Sequence, residues 1–192
     1  MGYVGLPLAV AFAEAGHDVV GLDTDPRKIA AIEAGDSYIE DVSSERLAAL
    51  KDRLRGTARY ADLSKADAVI LAVPTPLTRN REPDLGALVS AGTSLAGVLQ
   101  EGQLVVLEST TYPGTTRERL IPMLEESGLA AGRDFHVAFS PERVDPGRTD
   151  YTLRTTPKVV AGLTPECERR ALELYELVCA NLVPVSTLEA AE

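Results

Sequence analysis

Residues 2–23 read GYVGLPLAVAFAEAGHDVVGLD, and this stretch decides the fold. Val4, Leu8, Ala11, Phe12 and Ala15 recur at helical spacing, so a helix is expected to open the chain. Pro7 fits that helix only in its first turn, where the missing N–H is not needed. Gly16 ends the helix. Asp18 to Leu22 then read as a strand that stops at Asp23.

A glycine turn, a helix, a strand and an acid at the strand's end form the pattern of a dinucleotide site. Gly2 and Gly5 take the places of the second and third glycines of G-x-G-x-x-G, which permit close pyrophosphate approach and tight helix packing. The first glycine and the strand leading into it would lie before Met1, so the sheet is expected to lack its first strand. Alone, G-x-x-G is a weak pattern. Asp23, eighteen residues after Gly5, strengthens it, because a carboxylate there accepts hydrogen bonds from both adenosine ribose hydroxyls. It would also repel a 2′-phosphate, which favours NAD over NADP. The blander reading is that Asp23, Asp25 and Pro26 merely form a turn and cap. Lys28 is either a solvated helix charge or a group reaching the adenosine or phosphate region.

Working outward, short apolar runs alternate with amphipathic stretches, the pattern of a mostly parallel sheet with helices on both faces. Pro26 to about Ala34 is a short helix, and Ser43 caps another expected to reach Leu54. A short strand is expected near residues 58–60. Residues 66–73 (ADAVILAV) are apolar enough for a buried strand. The loop 74–83 (PTPLTRNREP) follows, and Asp84 caps a helix carrying Leu88, Val89, Leu95 and Leu99. Further strands are expected at 104–107, 135–139, 158–161 and 183–185. Helices are expected from Thr115 to about Glu126 and from Pro165 to about Cys179. Residues 188–192 look like the start of one more helix. The fold class is therefore α/β, a Rossmann-like, doubly wound and mostly parallel sheet.

The chain has 192 residues, 45% hydrophobic and 25% charged, enough for one domain with its own core. Its formal charge of -10 disfavours general nucleic-acid binding. It does not prevent local anion binding by backbone N–H groups at a helix start. Cys167 and Cys179 have no histidine pair at zinc-type spacing and read as buried small hydrophobes in a reduced, cytoplasmic protein. No metal site is expected. No run of about 18 apolar residues suggests a membrane span, and no signal peptide is seen. His17 and His136 read as structural or solvated.

Five segments occur in order: Gly2-Tyr3-Val4-Gly5-Leu6-Pro7; Gly21-Leu22-Asp23; Val73-Pro74-Thr75-Pro76-Leu77; Glu108-Ser109-Thr110 with Pro113-Gly114-Thr115; and Ser140-Pro141-Glu142-Arg143. Together they resemble the UDP-glucose/GDP-mannose dehydrogenase family over essentially the whole chain. Members oxidise C6 of a nucleotide sugar from alcohol to carboxylate, using two NAD and a cysteine nucleophile. The run from Ser140 through Gly147, followed by Pro157-Lys158-Val159-Val160, is most similar to the UDP-N-acetylglucosamine branch. UDP-N-acetylmannosamine dehydrogenases are close neighbours. A glutamate that UDP-glucose dehydrogenases carry downstream would fall at Pro146, so its role is not transferred.

The resemblance implies that Tyr3 and Val4 line the pyrophosphate turn, with Gly2 and Gly5 beside them. It implies that Pro74 and Thr75 lie next to the cofactor and that Thr110 faces the nicotinamide and the reacting carbon. Alternatively, Ser109 and Thr110 only cap the following helix. Glu142 would sit at the substrate edge for acid–base or water-positioning work, unless it is a helix-start charge. Arg143 would contact substrate or pair with a carboxylate.

The family's cysteine lies in a Gly-Gly-x-Cys segment of a later domain, together with a lysine and an asparagine on a long central helix. None of these is in this sequence. The expected organisation is an NAD-binding domain at 1–187, the start of the central helix at 188–192, and no UDP-binding domain. The expected full-length enzyme is a homodimer acting on a UDP-sugar. The chain alone is expected to be inactive and to bind NAD weakly. A stand-alone dinucleotide-binding module and another Rossmann oxidoreductase, of the 3-hydroxyacyl or 6-phosphogluconate type, are the competing readings.

Overall fold

The computed structural model describes residues 1–78, 83–142 and 154–192. Helix α1 spans Gly5–Glu14, so Pro7 does fall in its first turn. The chain leaves α1 through Gly16 at φ 96°, a backbone state that only glycine adopts cheaply. β1 is Val19–Leu22, and α2 is Pro26–Ala34. Asp25 caps α2 by accepting from the Arg27 amide, with Pro26 in the first turn.

Ser43 caps α3 as expected, but α3 covers only Ser44–Ala48. Leu54 does not end that helix. It opens β2, Leu54–Thr57, pairing with Val19 of β1 and burying its side chain. Tertiary pairing overrides the local helical pattern here. The strand expected at 58–60 accordingly lies a few residues earlier. A 3-10 helix, Tyr60–Lys65, leads into β3, Ala68–Leu71.

Helix α4 is Gly86–Ala96, with Asp84 accepting from the Gly86 amide, and β4 is Leu104–Leu107. The next helix opens with a π-type stretch, Thr116–Leu120, before α5, Ile121–Glu125. The wide winding ends two residues before Pro122, which has no N–H and would crowd the carbonyl four residues back. β5 is His136–Phe139, β6 is Lys158–Gly162, α6 is Pro165–Glu176, β7 is Leu182–Pro184 and α7 is Leu188–Ala191.

The strands form a pair, β1-β2, and a sheet ordered β3-β4-β5-β6-β7. Every pairing is parallel except β5 with β6. The interruption lies between β1 and β3, where a doubly wound sheet would place a strand leading into the glycine turn. Val20 and Leu22 of β1 nevertheless pack against the core of the larger sheet.

β4 is buried on both faces, which explains its unbroken apolar run. Val105 and Leu107 meet Leu88, Leu95, Leu120 and Leu124 of α4 and the α5 region. Leu104 and Val106 meet Phe12 of α1 and Ala171 and Tyr175 of α6. A third cluster joins α1 to Ile32, Leu47 and Leu54. Each such fully buried leucine contributes about 2 kcal/mol of transfer free energy. Among the described residues, no helix is long and apolar enough to cross a membrane.

Two consequences position the site. The parallel strands β1, β3, β4 and β5 deliver their following loops to one edge. Because β6 runs backwards, its first residue, Lys158, arrives at that same edge.

Candidate functional site

The glycine turn lies at the carboxyl end of β3. A Cβ added to Gly5 would be 3.7 Å from Met1 Sδ and 3.9 Å from the Ala72 Cβ, ordinary contact between helix and strand end. A Cβ added to Gly2 would meet nothing within 4 Å. Open space there is what a closely approaching phosphate needs. Val4 caps α1 without a side-chain hydrogen bond, and its first turn carries no acid. The start of α1 therefore suits an anion. Tyr3 is 63% exposed beside it.

Asp23 follows β1. Its Oδ2 accepts from the N-terminal ammonium at 2.5 Å and from Lys28 Nζ at 3.2 Å, and its Oδ1 accepts from the Asp25 amide at 2.8 Å. Burial works to raise its pKa. The hydrogen bonds from the ammonium, the Asp25 amide and Lys28 outweigh this and hold the carboxyl below its ordinary value. Lys28 thus reaches the carboxylate. Tyr38, which the sequence did not single out, donates to the Met1 carbonyl at 2.9 Å. Burial and then the charges of Asp23 and Asp25 push its phenol up to about 12.

The loops after β3 and β4 are tied together. The Val73 amide donates to Ser109 Oγ at 2.8 Å, and Thr75 Oγ1 donates to the Thr110 carbonyl at 2.6 Å. Ser109 and Thr110 are not caps. The following helix start is capped instead by the Glu192 carboxylate, which accepts from the Gly114 and Thr116 amides. Pro74 and the Thr110 side chain are exposed at this edge. Glu142 is half-buried after β5. Arg143 lies outside the described residues.

Beneath the edge lies a buried polar group formed by Glu108, Lys158 and Tyr175. Glu108 follows β4 and is 1% exposed. Its Oε1 accepts from Lys158 Nζ at 2.5 Å and its Oε2 from the Tyr175 hydroxyl at 2.8 Å. The ammonium also lies 4.9 Å from the Tyr175 ring centroid and donates to the Pro141 carbonyl at 3.4 Å. Burial raises the Glu108 carboxyl to about 7 against the opposing pull of Lys158, and the charge of Glu142 adds to the rise. Burial likewise lifts the Tyr175 phenol well above its usual range. A signal was available: Glu108 and Lys158 border strands that are otherwise apolar, and buried charges require partners.

His136 and the two cysteines stand apart. His136 begins β5, at the opposite edge, 3.7 Å from the buried Cys167 sulfur. Burial, then the charge of Arg170, lowers its pKa. His17 is exposed, and Cys179 is buried. Among the described residues, no group of three or more His, Cys, Asp or Glu side chains could hold a metal ion.

Comparison with known proteins gives one consistent answer. The UDP-N-acetyl-D-glucosamine 6-dehydrogenase of Pseudomonas aeruginosa is 40% identical over 195 residues, covering 100% of this chain and 46% of that protein. Protein CapL of Staphylococcus aureus is 38% identical over 194 residues, covering 100% of this chain and 45% of that protein. The chain thus spans about half the length of these relatives. A solved structure of UDP-D-ManNAc dehydrogenase from Pyrococcus horikoshii superposes with a TM-score of 0.92 at 36% identity, covering 99% of this chain and 46% of that one. Residues 1–179 match the NAD binding domain described for one family, and the chain belongs to that family, the UDP-glucose/GDP-mannose dehydrogenases.

Proposed function

We propose that this domain holds NAD along the carboxyl edge of its sheet and serves the oxidation of a UDP-sugar at C6, with UDP-N-acetylglucosamine the first candidate. One observation carries the reading: the glycine turn, Asp23, the Thr75–Thr110 bridge and Glu142 all lie at the carboxyl ends of β1, β3, β4 and β5. The names of the relatives support the substrate class.

The residues present fit a dinucleotide. Backbone N–H groups of Gly2, Tyr3, Val4 and Gly5 would hold the pyrophosphate at the open Gly2 position, and Asp23 would accept from the ribose hydroxyls. Lys28 steadies that carboxylate at 3.2 Å. Pro74 and Thr75 wall the site. NAD, when bound, supplies the hydride acceptor. The exposed Thr110 hydroxyl holds a water or a substrate oxygen near the reacting carbon. Glu142 positions water or moves a proton there. The reading assigns Arg143 either to substrate contact or to pairing with a carboxylate. The wider reading is a cytoplasmic homodimer in which residues 1–187 bind the cofactor and 188–192 begin a further helix.

The test is calorimetric titration of this chain with NAD and NADP. Weak NAD binding is expected, with NADP binding weaker still and no turnover of UDP-N-acetylglucosamine by this chain. A folded chain that shows no NAD heat at millimolar ligand would sink the proposal. NADH production by the chain alone would overturn the expectation that it is inactive.

A further inference from the structure

Buried charge beneath the edge of an apolar sheet is costly, and the fold places a carboxyl, an ammonium and a phenol together there. Glu108, Lys158 and Tyr175 come from the end of β4, the start of β6 and the last turn of α6. Their exposures are 1%, 3% and 0%. An apolar replacement of such a cluster is often no less stable, so burial alone does not account for its presence. Its geometry points to the site above. Lys158 Nζ reaches both the Glu108 carboxylate and the carbonyl of Pro141, the residue before Glu142. Ser140 Oγ donates to the Val159 carbonyl at 2.7 Å, tying the same segment to β6. On the β4 side, Glu108 directly precedes Ser109, which holds the β3 loop.

We propose that Glu108, Lys158 and Tyr175 form a positioning unit for Glu142, fixing the Ser140-Pro141-Glu142 segment through the Pro141 carbonyl and placing a cation beneath it. The role rests on the reading that Glu142 faces the substrate. None of the three is a catalytic residue; they act through Glu142. Around Glu108 the charged and titratable groups are Lys158 on β6, Tyr175 on α6, Glu142 after β5 and Cys179 beyond α6.

The experiment uses the intact chain labelled with carbon-13 and nitrogen-15 at glutamate and aspartate, following carboxyl and amide signals by NMR from pH 3 to 9. In Lys158→Met the Pro141 carbonyl loses its donor, and the Glu142 amide and carboxyl signals move away from their original positions. In Lys158→Arg, which keeps a cation and a donor, both signals stay near their original positions. Asp23, just after β1, keeps its midpoint in both variants and reports an undisturbed fold. If Lys158→Met does not fold, Tyr175→Phe supplies the second reading. Removing its donor raises the Glu108 midpoint, and the Glu142 amide signal follows that titration. A Glu142 carboxyl and amide indifferent to these substitutions in folded protein would overturn the proposal. Because no ligand is present, failure here is distinct from failure to bind NAD.

Discussion

Asp23 and Glu108 both follow a parallel strand, and both accept from a cation, yet their carboxyls move in opposite directions. At Asp23, three donors converge on a side chain that still meets solvent, and the carboxyl is held below its ordinary value. At Glu108, one ammonium and one phenol do not offset complete burial, and the carboxyl rises to about 7. A cation beside a carboxylate therefore does not fix its charge; the balance between donors and desolvation does. At the carboxyl edge of the sheet the donors win, and the Asp23 carboxyl is lowered. The buried site holds an ion pair whose stability depends on each partner.

The strongest way to break this comparison is Lys158→Met, which leaves Glu108 buried without its cation. A loss of about 3–5 kcal/mol is expected in urea denaturation at pH 8. Glu108→Leu combined with Lys158→Met is expected to recover more than half of it. Full additivity of the two single losses would show that the groups do not act as a pair.

Stability against pH sharpens the contrast. Between 4.5, the ordinary value for Glu108, and its folded value of about 7, the native state binds the extra proton. Stability therefore falls as pH rises through that window, by at most about 1.4 kcal/mol per pH unit for one proton. Asp23 has the opposite sign. Its folded value lies below 3.8, so its contribution is present above that pH and is lost as pH falls further. Glu108→Gln is expected to flatten the slope between 4.5 and 7 while leaving the acid limb. An unchanged slope would contradict the assignment to Glu108.

At the exposed edge, the expected effects are on binding. Gly2→Leu adds a side chain pointing into open space, so thermal stability should hold while NAD affinity drops at least tenfold, about 1.4 kcal/mol. Retained affinity would mean that the pyrophosphate does not pass over Gly2. The smallest change is expected for Asp23→Asn: about 1 kcal/mol of stability, with a narrower preference for NAD over NADP. A preference left intact would remove Asp23 from ribose recognition.

Much of this molecule is written in local pattern. The apolar runs at Leu104–Leu107 and Ala68–Leu71, the Asp25 and Ser43 caps and the glycine at the end of α1 follow from period, cap chemistry and backbone freedom. The glycine turn and Asp23 were legible because their spacing is short and their chemistry specific. Ser109 was legible only as part of a motif. Its hydrogen bond to Val73 spans 36 positions and competes with a cap reading that sequence alone left open. Leu54 misled, because an apolar residue at the end of a helical stripe looks the same as one opening a strand.

By itself, the sequence determined the α/β class, the placement of most elements and the candidate cofactor edge, because these depend on neighbours within a few residues. Only the tertiary structure decided that β6 runs backwards, since alternating or apolar patterns carry no direction. That reversal brings Lys158 to Glu108 across 50 positions and lets Tyr175 reach it across 67. Whether a buried charge is satisfied is a property of what the fold places beside it, and no local period encodes that.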